Sequence, residues 1–463
     1  MYLTPRATIH RLNPDQSLLI NALSGAVDIV DNELRTKLLE LGLGRRPALS
    51  DQEAESLTER GYLFPDGGQE RAAFLEMHQA YQAEAARRPL QFVVCPTYSC
   101  NLACSYCFET EQLRSKRQVM AEEHVPLLFQ AIDEIAATRP DRKRQLVLFG
   151  GEPLLPGTET VVDLLLRRAG EKGFAVQLVT NGTHLPRFAH LFRLHAGTVK
   201  GAQITLDGPQ PVHDVRRRTR DGRGSFADAV TAVEVCLEMG IAVNLRVNLD
   251  GHNLPYLEAL AAFFQEKGWA GQNGFRCQLA PVTDHLGTSC YPFLLSESEL
   301  VEPVLELWER RPELRKALDF RLFRVLYHLI SVIEDQGRSP TMPRFHYCEA
   351  DRGDVYTFGP DGFIYVCTES IGDRKLAVGR YAPIFRLWPR KLQRWHGRSV
   401  LSLPECQQCT IATFCGGGCA YAALKRLGTT KRPVCGDAPS VVQAYLERLR
   451  RRYQMDSRLA PVG

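Results

Sequence analysis

The residues with the clearest chemical potential are cysteines, of which the chain has 14. Cys100, Cys104 and Cys107 have the spacing C-x3-C-x2-C directly after an apolar stretch. Iron–sulfur clusters are held by thiolates, usually four, so three ligands predict a cluster with one iron open to another molecule. A structural zinc site would normally show paired C-x2-C halves, and no fourth ligand lies nearby in the sequence. The spacing also disfavours the remaining alternative, three plain buried thiols.

A second set of cysteines occupies the last third of the chain. Its members are Cys348, Cys367, Cys406, Cys409, Cys415, Cys419 and Cys435. These thiolates suffice for one fully ligated iron–sulfur cluster and a second with three protein ligands, or for one or two zinc ions, so the metal stays open. Cys95, Cys236 and Cys277 lie within strand or helix patterns, and we expect them to be buried core thiols.

Glycines and polar side chains recur where successive predicted strands end. Each group alone has the composition of a turn, but the regular placement indicates a shared ligand site. The groups are Gly150, Gly151, Glu152 and Pro153 after the second strand, Asn181 after the third, Thr205 and Asp207 at the fourth, and Arg246 on the fifth. Paired glycines allow the backbone to approach a ligand closely, and an arginine suits a carboxylate as a charge-assisted donor.

These residues need a scaffold of parallel strands, and the pattern from residue 89 onward predicts one. Apolar strands alternate with amphipathic helices, which indicates right-handed β–α–β units. The predicted strands are Leu90–Pro96, Gln145–Phe149, Ala175–Val179, Gly201–Leu206, Ala242–Val247 and Gly274–Ala280. The predicted fold class is therefore α/β, a partial (β/α)6 TIM-like barrel with its ligand site at the C-terminal strand ends.

The rest of the chain predicts a module before the barrel and two segments after it. The N-terminal segment has strands, two helices and a terminal strand, which is typical of a winged-helix-like unit, and Ser50 with Glu53 predicts a capping box. The stretch Glu297–Gln336 is expected to be largely helical. The predicted boundaries are 1–88 for the N-terminal module, 89–283 for the barrel, 284–346 for a helical bridge and 347–463 for a small cysteine-rich domain.

The composition limits the classes of protein that remain. Hydrophobic residues make up 44% and charged residues 24%, which is ordinary for a globular protein and excludes wholesale disorder. The net charge of +4 is too balanced to indicate a nucleic-acid partner. The basic run 216–218 is expected to be solvated surface, or else to contact substrate. No apolar run suits a membrane span and no secretory signal is evident, so we expect a cytoplasmic protein without a membrane partner.

The run CNLACSYCFE at 100–109 resembles the signature of the radical S-adenosylmethionine (radical SAM) superfamily. The resemblance implies that the three cysteines hold a 4Fe–4S cluster whose fourth iron binds SAM. It also implies reductive cleavage of SAM to a 5′-deoxyadenosyl radical, which abstracts hydrogen from a substrate. Tyr106 or Phe108 would contact the adenine. The other SAM contacts implied are Gly150, Gly151, Glu152, Pro153, Asn181, Thr205, Asp207 and Arg246.

The second cysteine set is similar in spacing to a SPASM domain, which carries two auxiliary 4Fe–4S clusters. All seven positions match that pattern, including Gly362 before Cys367. The resemblance implies an outer cluster held by Cys406, Cys409, Cys415 and Cys435, and an inner cluster held by Cys348, Cys367 and Cys419. The fourth ligand of the inner cluster stays open between Cys290, Cys277, the substrate and none.

Radical SAM enzymes with a SPASM domain include maturases of ribosomally synthesised peptides. The resemblance therefore predicts a cross-link or other oxidative modification of a precursor peptide, with a flavodoxin or ferredoxin as electron donor. Residues 1–88 resemble modules that bind a leader peptide as an added strand. The peptide, the bond formed and the oligomeric state stay open.

Two other functions are compatible with the same residues. One is oxidation of Ser or Cys in a protein partner, as in anaerobic sulfatase maturases. Those enzymes commonly have an Asp base where this chain has Thr368, and the neighbouring Glu369 is our candidate catalytic acid or base. The other, of a different class, is a zinc-stabilised peptide-binding scaffold.

Overall fold

The N-terminal part of the chain is a small unit of strands followed by helices. Its elements are β1 (Tyr2–Leu3), β2 (Ala7–Arg11), β3 (Gln16–Asn21), β4 (Val27–Asp31), α1 (Asn32–Gly42), α2 (Asp51–Glu59), β5 (Leu63–Phe64) and α3 (Gly67–Ala85). The antiparallel sheet has the order β2-β3-β4, and β1 pairs with β5. The predicted capping box at the start of α2 is confirmed, with Ser50 accepting from the Glu53 backbone and Glu53 accepting from the Ser50 backbone. The computed structural model describes residues 1–289, 291–334 and 343–455.

Six parallel strands follow, and they pair in the order in which they occur in the chain. They are β6 (Leu90–Val94), β7 (Arg144–Leu148), β8 (Ala175–Thr180), β9 (Val199–Thr205), β10 (Ala242–Leu249) and β11 (Phe275–Pro281). The helices that accompany them are α4 (Glu111–Arg114), α5 (His124–Ala137), α6 (Glu159–Glu171), α7 (Leu185–Leu194), α8 (Gln210–Arg216), α9 (Phe226–Glu238) and α10 (Leu257–Glu266). This arrangement confirms the predicted partial (β/α)6 barrel.

The alternation of residues along the strands separates the core from the site. In β10, Val243, Leu245 and Val247 are fully buried in the main hydrophobic core, which they share with the apolar faces of the helices. Side chains alternate between the two faces of a strand, so Arg246 and Asn248 point to the opposite, inner side. The inner side of the barrel is therefore polar at this strand, and the functional residues lie there.

The remaining elements are mostly short, apart from two long helices. They are α11 (Glu297–Arg310), α12 (Leu314–Ala317), β12 (Leu318–Asp319), α13 (Arg324–Ile333), α14 (Glu349–Arg352), β13 (Val355–Phe358), β14 (Phe363–Tyr365), β15 (Gly379–Arg380), β16 (Arg386–Leu387), α15 (Pro389–His396), α16 (Pro404–Gln407), α17 (Ala412–Cys415), α18 (Ala420–Leu427) and α19 (Ala438–Met455). The predicted helical stretch Glu297–Gln336 is interrupted by β12, which pairs with β11 and is too short to show a strand pattern. The last two residues of this predicted helical stretch, 335 and 336, lie outside the described residues.

The cysteine-rich region continues the barrel sheet instead of standing apart from it. Strand β13 pairs in parallel with β6, from Val355 opposite Gln91 to Phe358 opposite Val94. Antiparallel strands β14, β15 and β16 then extend the same sheet. The backbone hydrogen bonds between β6 and β13 thus fix the second cysteine set against the first strand of the barrel.

The N-terminal unit packs on the cysteine-rich region. Arg6 donates to the Gln407 carbonyl at 3.1 Å, and the Thr413 hydroxyl donates to the Ala22 carbonyl at 2.7 Å. At the far end, the Gln454 side chain in α19 donates to the Leu12 carbonyl. Within the ranges given above, none of the helices combines the length and apolar character that a membrane span needs.

Candidate functional site

The first cysteine loop follows β6 and is held by backbone bonds to the segment after α8. The Ala103 N–H donates to the Arg218 carbonyl at 2.8 Å, and the Ser105 N–H donates to the Arg216 carbonyl at 3.2 Å. A two-residue bridge between Leu102 and Thr219 adds to this pairing. The loop is therefore held between the end of β6 and the end of α8, which follows β9 in the chain.

The three thiols of this loop are half-buried and close enough to influence one another. Burial raises the pKa of Cys107 to about 12, with Arg114 opposing the rise and the Cys104 thiol adding to it. Burial and the neighbouring thiols also raise the pKa of Cys100. Positive charge lowers the pKa of a thiol, so bound iron ions would lower these raised pKa values and allow the thiols to ionise.

Gly150 and Gly151 let the segment after β7 pack directly on the cysteine loop. A Cβ atom on Gly150 would lie 2.6 Å from the Cys95 sulfur, and one on Gly151 would lie 2.3 Å from the Ser99 carbonyl oxygen. Gly150 also has a φ of 138°, which other residues rarely adopt. Any larger residue at these positions would displace the loop that carries the thiols.

Glu152 is fully buried and ties the ends of two strands together. Its carboxylate accepts from the Leu154 N–H at 2.9 Å, the Thr180 hydroxyl at 2.7 Å and the Asn181 N–H at 2.7 Å. The Asn181 side chain donates in turn to the Asn101 side chain at 2.9 Å. Pro153 is buried next to this group. The carboxylate therefore fixes the position of Asn181 beside the first cysteine loop.

Tyr106 lies between two of the cysteines, and its hydroxyl is held by three partners. It donates to Asp207, and it accepts from Arg217 at 2.7 Å and from the Asn248 side chain at 3.1 Å. Asp207 is itself buried and also accepts from the Asn248 N–H. Phe108, the other predicted adenine contact, has 46% of its surface exposed. The ring of Tyr106 is therefore fixed, whereas that of Phe108 faces solvent.

The expectation that 216–218 is solvated surface is wrong for its first two residues. The Arg216 side chain is 0% exposed, and its guanidinium contacts both oxygens of Asp250 at 2.6 Å and the Asn248 carbonyl at 2.7 Å. Arg217 is also buried, whereas Arg218 is exposed. The partners of Arg216 are buried carboxylates that lie far from it along the chain. The sequence alone therefore could not reveal this ion-pair network.

A cavity of about 710 Å³ lies between the inner side of the barrel and the second cysteine set. Arg246 lines it from β10, and Thr205 is the neighbour of Arg246 in the pairing with β9. Glu369 lines it from the other side, and burial raises the pKa of this carboxyl to about 7. The cavity thus brings together Arg246 and Glu369, two of the predicted site residues.

Glu109, directly after the first cysteine loop, is a site residue that the sequence did not single out. It is 6% exposed, and its Oε1 has no hydrogen-bond partner among the described residues. Burial raises its pKa to about 7, and its charge contributes to the raised pKa of Glu369. Packing of Leu113 against Gly372 brings the two segments together, a contact that only the fold reveals.

Five cysteines of the second set line the same cavity, and three of them, Cys348, Cys367 and Cys419, form the predicted inner group. Each of these three immediately precedes a helical turn. The Cys419 sulfur accepts from the Ala422 N–H at the start of α18, where the helix dipole favours a thiolate. The three thiols are half-buried, and after the larger effect of burial Cys348 and Cys419 raise the pKa of Cys367.

The other four cysteines form an outer group, Cys406, Cys409, Cys415 and Cys435. After the larger effect of burial, neighbouring thiols raise the pKa of Cys406, Cys415 and Cys435. Three consecutive glycines at 416–418, all with φ between 74° and 85°, join this group to Cys419. A Cβ on Gly418 would lie 1.8 Å from the Val434 carbonyl oxygen, next to Cys435. The glycine run therefore lets the two segments touch. The three glycines are visible in the sequence, but the contact they permit is not.

The remaining thiols do not join these groups. Cys95, Cys236 and Cys277 are buried in the core, as predicted. Cys277 pairs in register with Leu245 and Leu318 and is not among the residues that line the cavity, so the fold gives no support to it as a fourth ligand. Cys290 lies outside the described residues.

The donor chemistry of the three groups fits iron–sulfur clusters. Every described cysteine is a free thiol, and each group supplies three or four thiols that are close to one another. Within the described ranges, no three His, Cys, Asp or Glu side chains converge as the ligands of a single metal ion would.

Comparison with known proteins identifies part of the chain directly. The sequence model of the Radical SAM superfamily matches residues 94–264, which span the first cysteine loop and most of the parallel strands. Such a domain implies a 4Fe–4S cluster and SAM.

Relatives and solved structures extend the similarity beyond this domain. The cysteine-type anaerobic sulfatase-maturating enzyme of Clostridium perfringens is 22% identical over 72% of this chain and 89% of its own length. The structure of native anSMEcpe with bound AdoMet and Cp18Cys peptide covers 79% of this chain and 98% of its own, with 19% identity and a TM-score of 0.57. Streptococcus suis SuiB bound to precursor peptide SuiA covers 93% of this chain and 98% of its own, with 15% identity and a TM-score of 0.51.

Proposed function

The chain is a radical SAM enzyme, and we propose that it oxidatively modifies a residue of a ribosomally synthesised precursor peptide. The observation that carries the proposal is the cavity shared by the barrel and the inner cysteine group. The similarity to SuiB, which was solved with a precursor peptide, supports the same class of substrate. A zinc-stabilised scaffold is excluded by the radical SAM domain.

We assign the cysteines to three clusters. Cys100, Cys104 and Cys107 would hold the cluster that binds SAM. The inner auxiliary cluster would be held by Cys348, Cys367 and Cys419, and the outer one by Cys406, Cys409, Cys415 and Cys435. When bound, the first cluster and SAM supply a 5′-deoxyadenosyl radical that removes hydrogen from an unactivated C–H bond. A flavodoxin or ferredoxin is the proposed electron donor.

The protein's own residues would bind and orient SAM. Arg246 uses Nε for the Asn248 side chain at 2.8 Å, so we assign its terminal nitrogens to the SAM carboxylate. Tyr106 would contact the adenine, because three hydrogen bonds fix its ring whereas Phe108 is exposed. The other proposed contacts are at Gly150, Gly151, Glu152, Pro153, Asn181, Thr205 and Asp207.

Glu369 would serve the substrate instead of SAM. It lines the cavity opposite Arg246 and next to the inner cysteine group, where a substrate residue would lie. After the 5′-deoxyadenosyl radical has taken one hydrogen atom, bond formation releases one proton and one electron. Glu369 would hold the proton, and an auxiliary cluster would accept the electron. Glu109, at the end of the first cysteine loop, lies close enough to Glu369 to raise the pKa of that carboxyl further.

The leader of the precursor would bind at β4. Strand β2, at one edge of the N-terminal sheet, lies near α19, where His10 faces Glu447. Strand β4, at the other edge, pairs with β3 alone among the described strands. An extended peptide adds to such an edge through its main chain. We place the reaction in the cytoplasm, since a reducing compartment keeps cysteines as free thiols.

The test uses anaerobically reconstituted enzyme with SAM, dithionite and synthetic copies of any short peptides found encoded beside its gene. We expect one peptide to lose the mass of paired hydrogens while 5′-deoxyadenosine forms. The variant with Cys100, Cys104 and Cys107 all changed to Ala is the control, and it should produce neither. SAM cleavage with no mass change in any of these peptides would contradict the proposed substrate class.

The sulfatase-maturating relatives favour a second candidate, oxidation of Ser or Cys in a protein partner. The Cp18Cys peptide is the matching probe, because it was bound by the similar anSMEcpe structure. Oxidation of its cysteine as fast as SAM is consumed would favour this candidate. SAM consumption without that oxidation would favour the precursor peptide.

A further inference from the structure

A fully buried ion pair lies between the inner and outer cysteine groups. Arg398, just after α15, places Nη1 3.8 Å from the Asp351 carboxylate in α14. The two side chains are 1% and 0% exposed. Solvent screens such charges little, so their effect on neighbouring groups is strong.

The guanidinium end of the pair borders the outer group. Arg398 Nη2 donates to the Gly417 carbonyl at 2.7 Å and to the Arg432 carbonyl at 3.2 Å, on the two segments that carry Cys415 and Cys435. A Cβ on Gly417 would contact both Arg398 Nη1, at 3.3 Å, and the Cys406 sulfur, at 3.9 Å. The positive charge therefore lies against the outer cysteines.

The carboxylate end borders the inner group. Asp351 is in the helical turn that Cys348 begins, and both of its oxygens lack a hydrogen-bond partner among the described residues. Cys348 caps the start of this turn, and Asp351 follows it by three positions. The negative charge therefore faces the inner cysteines.

The other charges near the two groups are mixed at the inner site. Glu349 and Glu369 lie near the inner cysteines, but Arg324 lies near Cys348 and Arg246 lies near Glu369. At the outer cysteines Arg344 joins Arg398, and the exposed Glu405 is the opposing charge. The outer site therefore has more guanidinium than carboxylate groups near it, whereas the inner site has both.

We propose that the Asp351–Arg398 pair polarises the two auxiliary cluster sites, so that the outer cluster is easier to reduce than the inner one. Reduction adds negative charge to a cluster, which a nearby carboxylate opposes and a guanidinium favours. Stability gives no reason for the pair, since it leaves buried N–H groups and oxygens unpaired at a cost that apolar residues would avoid. The inference rests on the proposed function, because it requires clusters at both sites.

The test is an EPR-monitored redox titration of the full-length, anaerobically reconstituted enzyme. Loss of a signal in a Cys367→Ala variant identifies the inner cluster. We expect Asp351→Asn to shift the inner midpoint to higher potential and Arg398→Met to shift the outer midpoint to lower potential. Arg398→Lys, which keeps the charge, should restore most of the outer shift.

Arg448→Met is the control, because Arg448 is also a largely buried arginine, 7% exposed, in an ion-pair network with Glu302 and Glu309 on α11. It should leave both midpoints unchanged. Unchanged midpoints in both Asp351→Asn and Arg398→Met, with about twelve irons per chain, would overturn the polarisation alone. About four irons per chain in the unaltered enzyme would instead contradict the proposed auxiliary clusters. If Arg398→Met does not fold, the near-isosteric Asp351→Asn decides.

Discussion

Arg216 and Arg218 are two positions apart, yet one is fully buried and the other is exposed. Arg216 connects Asp207 and Asp250 through its guanidinium, and Asp207 in turn holds the Tyr106 hydroxyl. The orientation of Tyr106 beside the first cysteines therefore depends on a charge network beneath it. Removing the arginine would leave two carboxylates buried without a cation.

We predict that Arg216→Met destabilises the protein by about 3–5 kcal/mol, the usual cost of breaking a buried ion pair. Urea unfolding of the apoprotein, followed by circular dichroism, measures the loss. Arg218→Met is the control, and it should change the unfolding midpoint little because the side chain is exposed. Equal effects of the two substitutions would contradict the network.

Gly151 makes the closest contact between the segment after β7 and the cysteine loop. We predict that Gly151→Ala displaces the loop, because its Cβ would lie 2.3 Å from the Ser99 carbonyl oxygen. The reconstituted variant should lose about four irons per chain, together with SAM cleavage. In Gly157→Ala, the control, the new Cβ meets nothing within 4 Å, so iron content should not change. Normal iron content in Gly151→Ala would contradict this prediction, because the loop would then accommodate the added Cβ without losing its cluster.

At the scale of elements, two features position the cysteine-rich region. The pairing of β6 with β13 joins it to the barrel, and the glycine run 416–418 joins its outer cysteine group to its inner one. Because these residues are glycines, the segment from Cys415 to Cys419 packs directly between two other segments. A Cβ on Gly416 would overlap backbone atoms at His346, and a Cβ on Gly418 would overlap backbone atoms at Val434. Both auxiliary groups therefore depend on this one turn of the chain.

We predict that Gly418→Ala abolishes both auxiliary clusters, a loss of about eight irons per chain, while the first cluster and SAM cleavage remain. Gly428→Ala is the matched control, because Gly428 has a similar φ of 72° but its Cβ would meet nothing within 4 Å. Iron analysis and 5′-deoxyadenosine assays separate the two variants. Loss of SAM cleavage in Gly418→Ala alone would contradict the independence of the first cluster.

The six barrel strands were predictable because buried parallel strands leave an apolar run that a sequence shows directly. The cysteine groups were predictable because thiolate spacing reflects ligand geometry. The pairing of β13 with β6 was not, since strands of four or five residues carry no signal of their partner. Glu109 and the Asp351–Arg398 pair were missed for a related reason: their function follows from contacts between segments far apart in the chain.

At the scale of the whole molecule, the barrel and the cysteine-rich region meet at one cavity. The barrel contributes Arg246, and the cysteine-rich region contributes Glu369 and the inner thiols. The N-terminal unit is anchored to that region through Arg6 and Thr413. A leader bound at β4 would therefore be tethered to the same body that holds the substrate residue, which raises the local concentration of the substrate at the cavity.

A radical SAM enzyme with three clusters must bind iron and cleave SAM. Iron content and SAM cleavage are therefore best measured in the same anaerobic sample. We expect about twelve irons per chain and formation of 5′-deoxyadenosine with dithionite. The variant with Cys100, Cys104 and Cys107 changed to Ala should retain about eight irons and form no 5′-deoxyadenosine. Zinc in place of iron, or SAM cleavage that survives in the triple variant, would contradict the account.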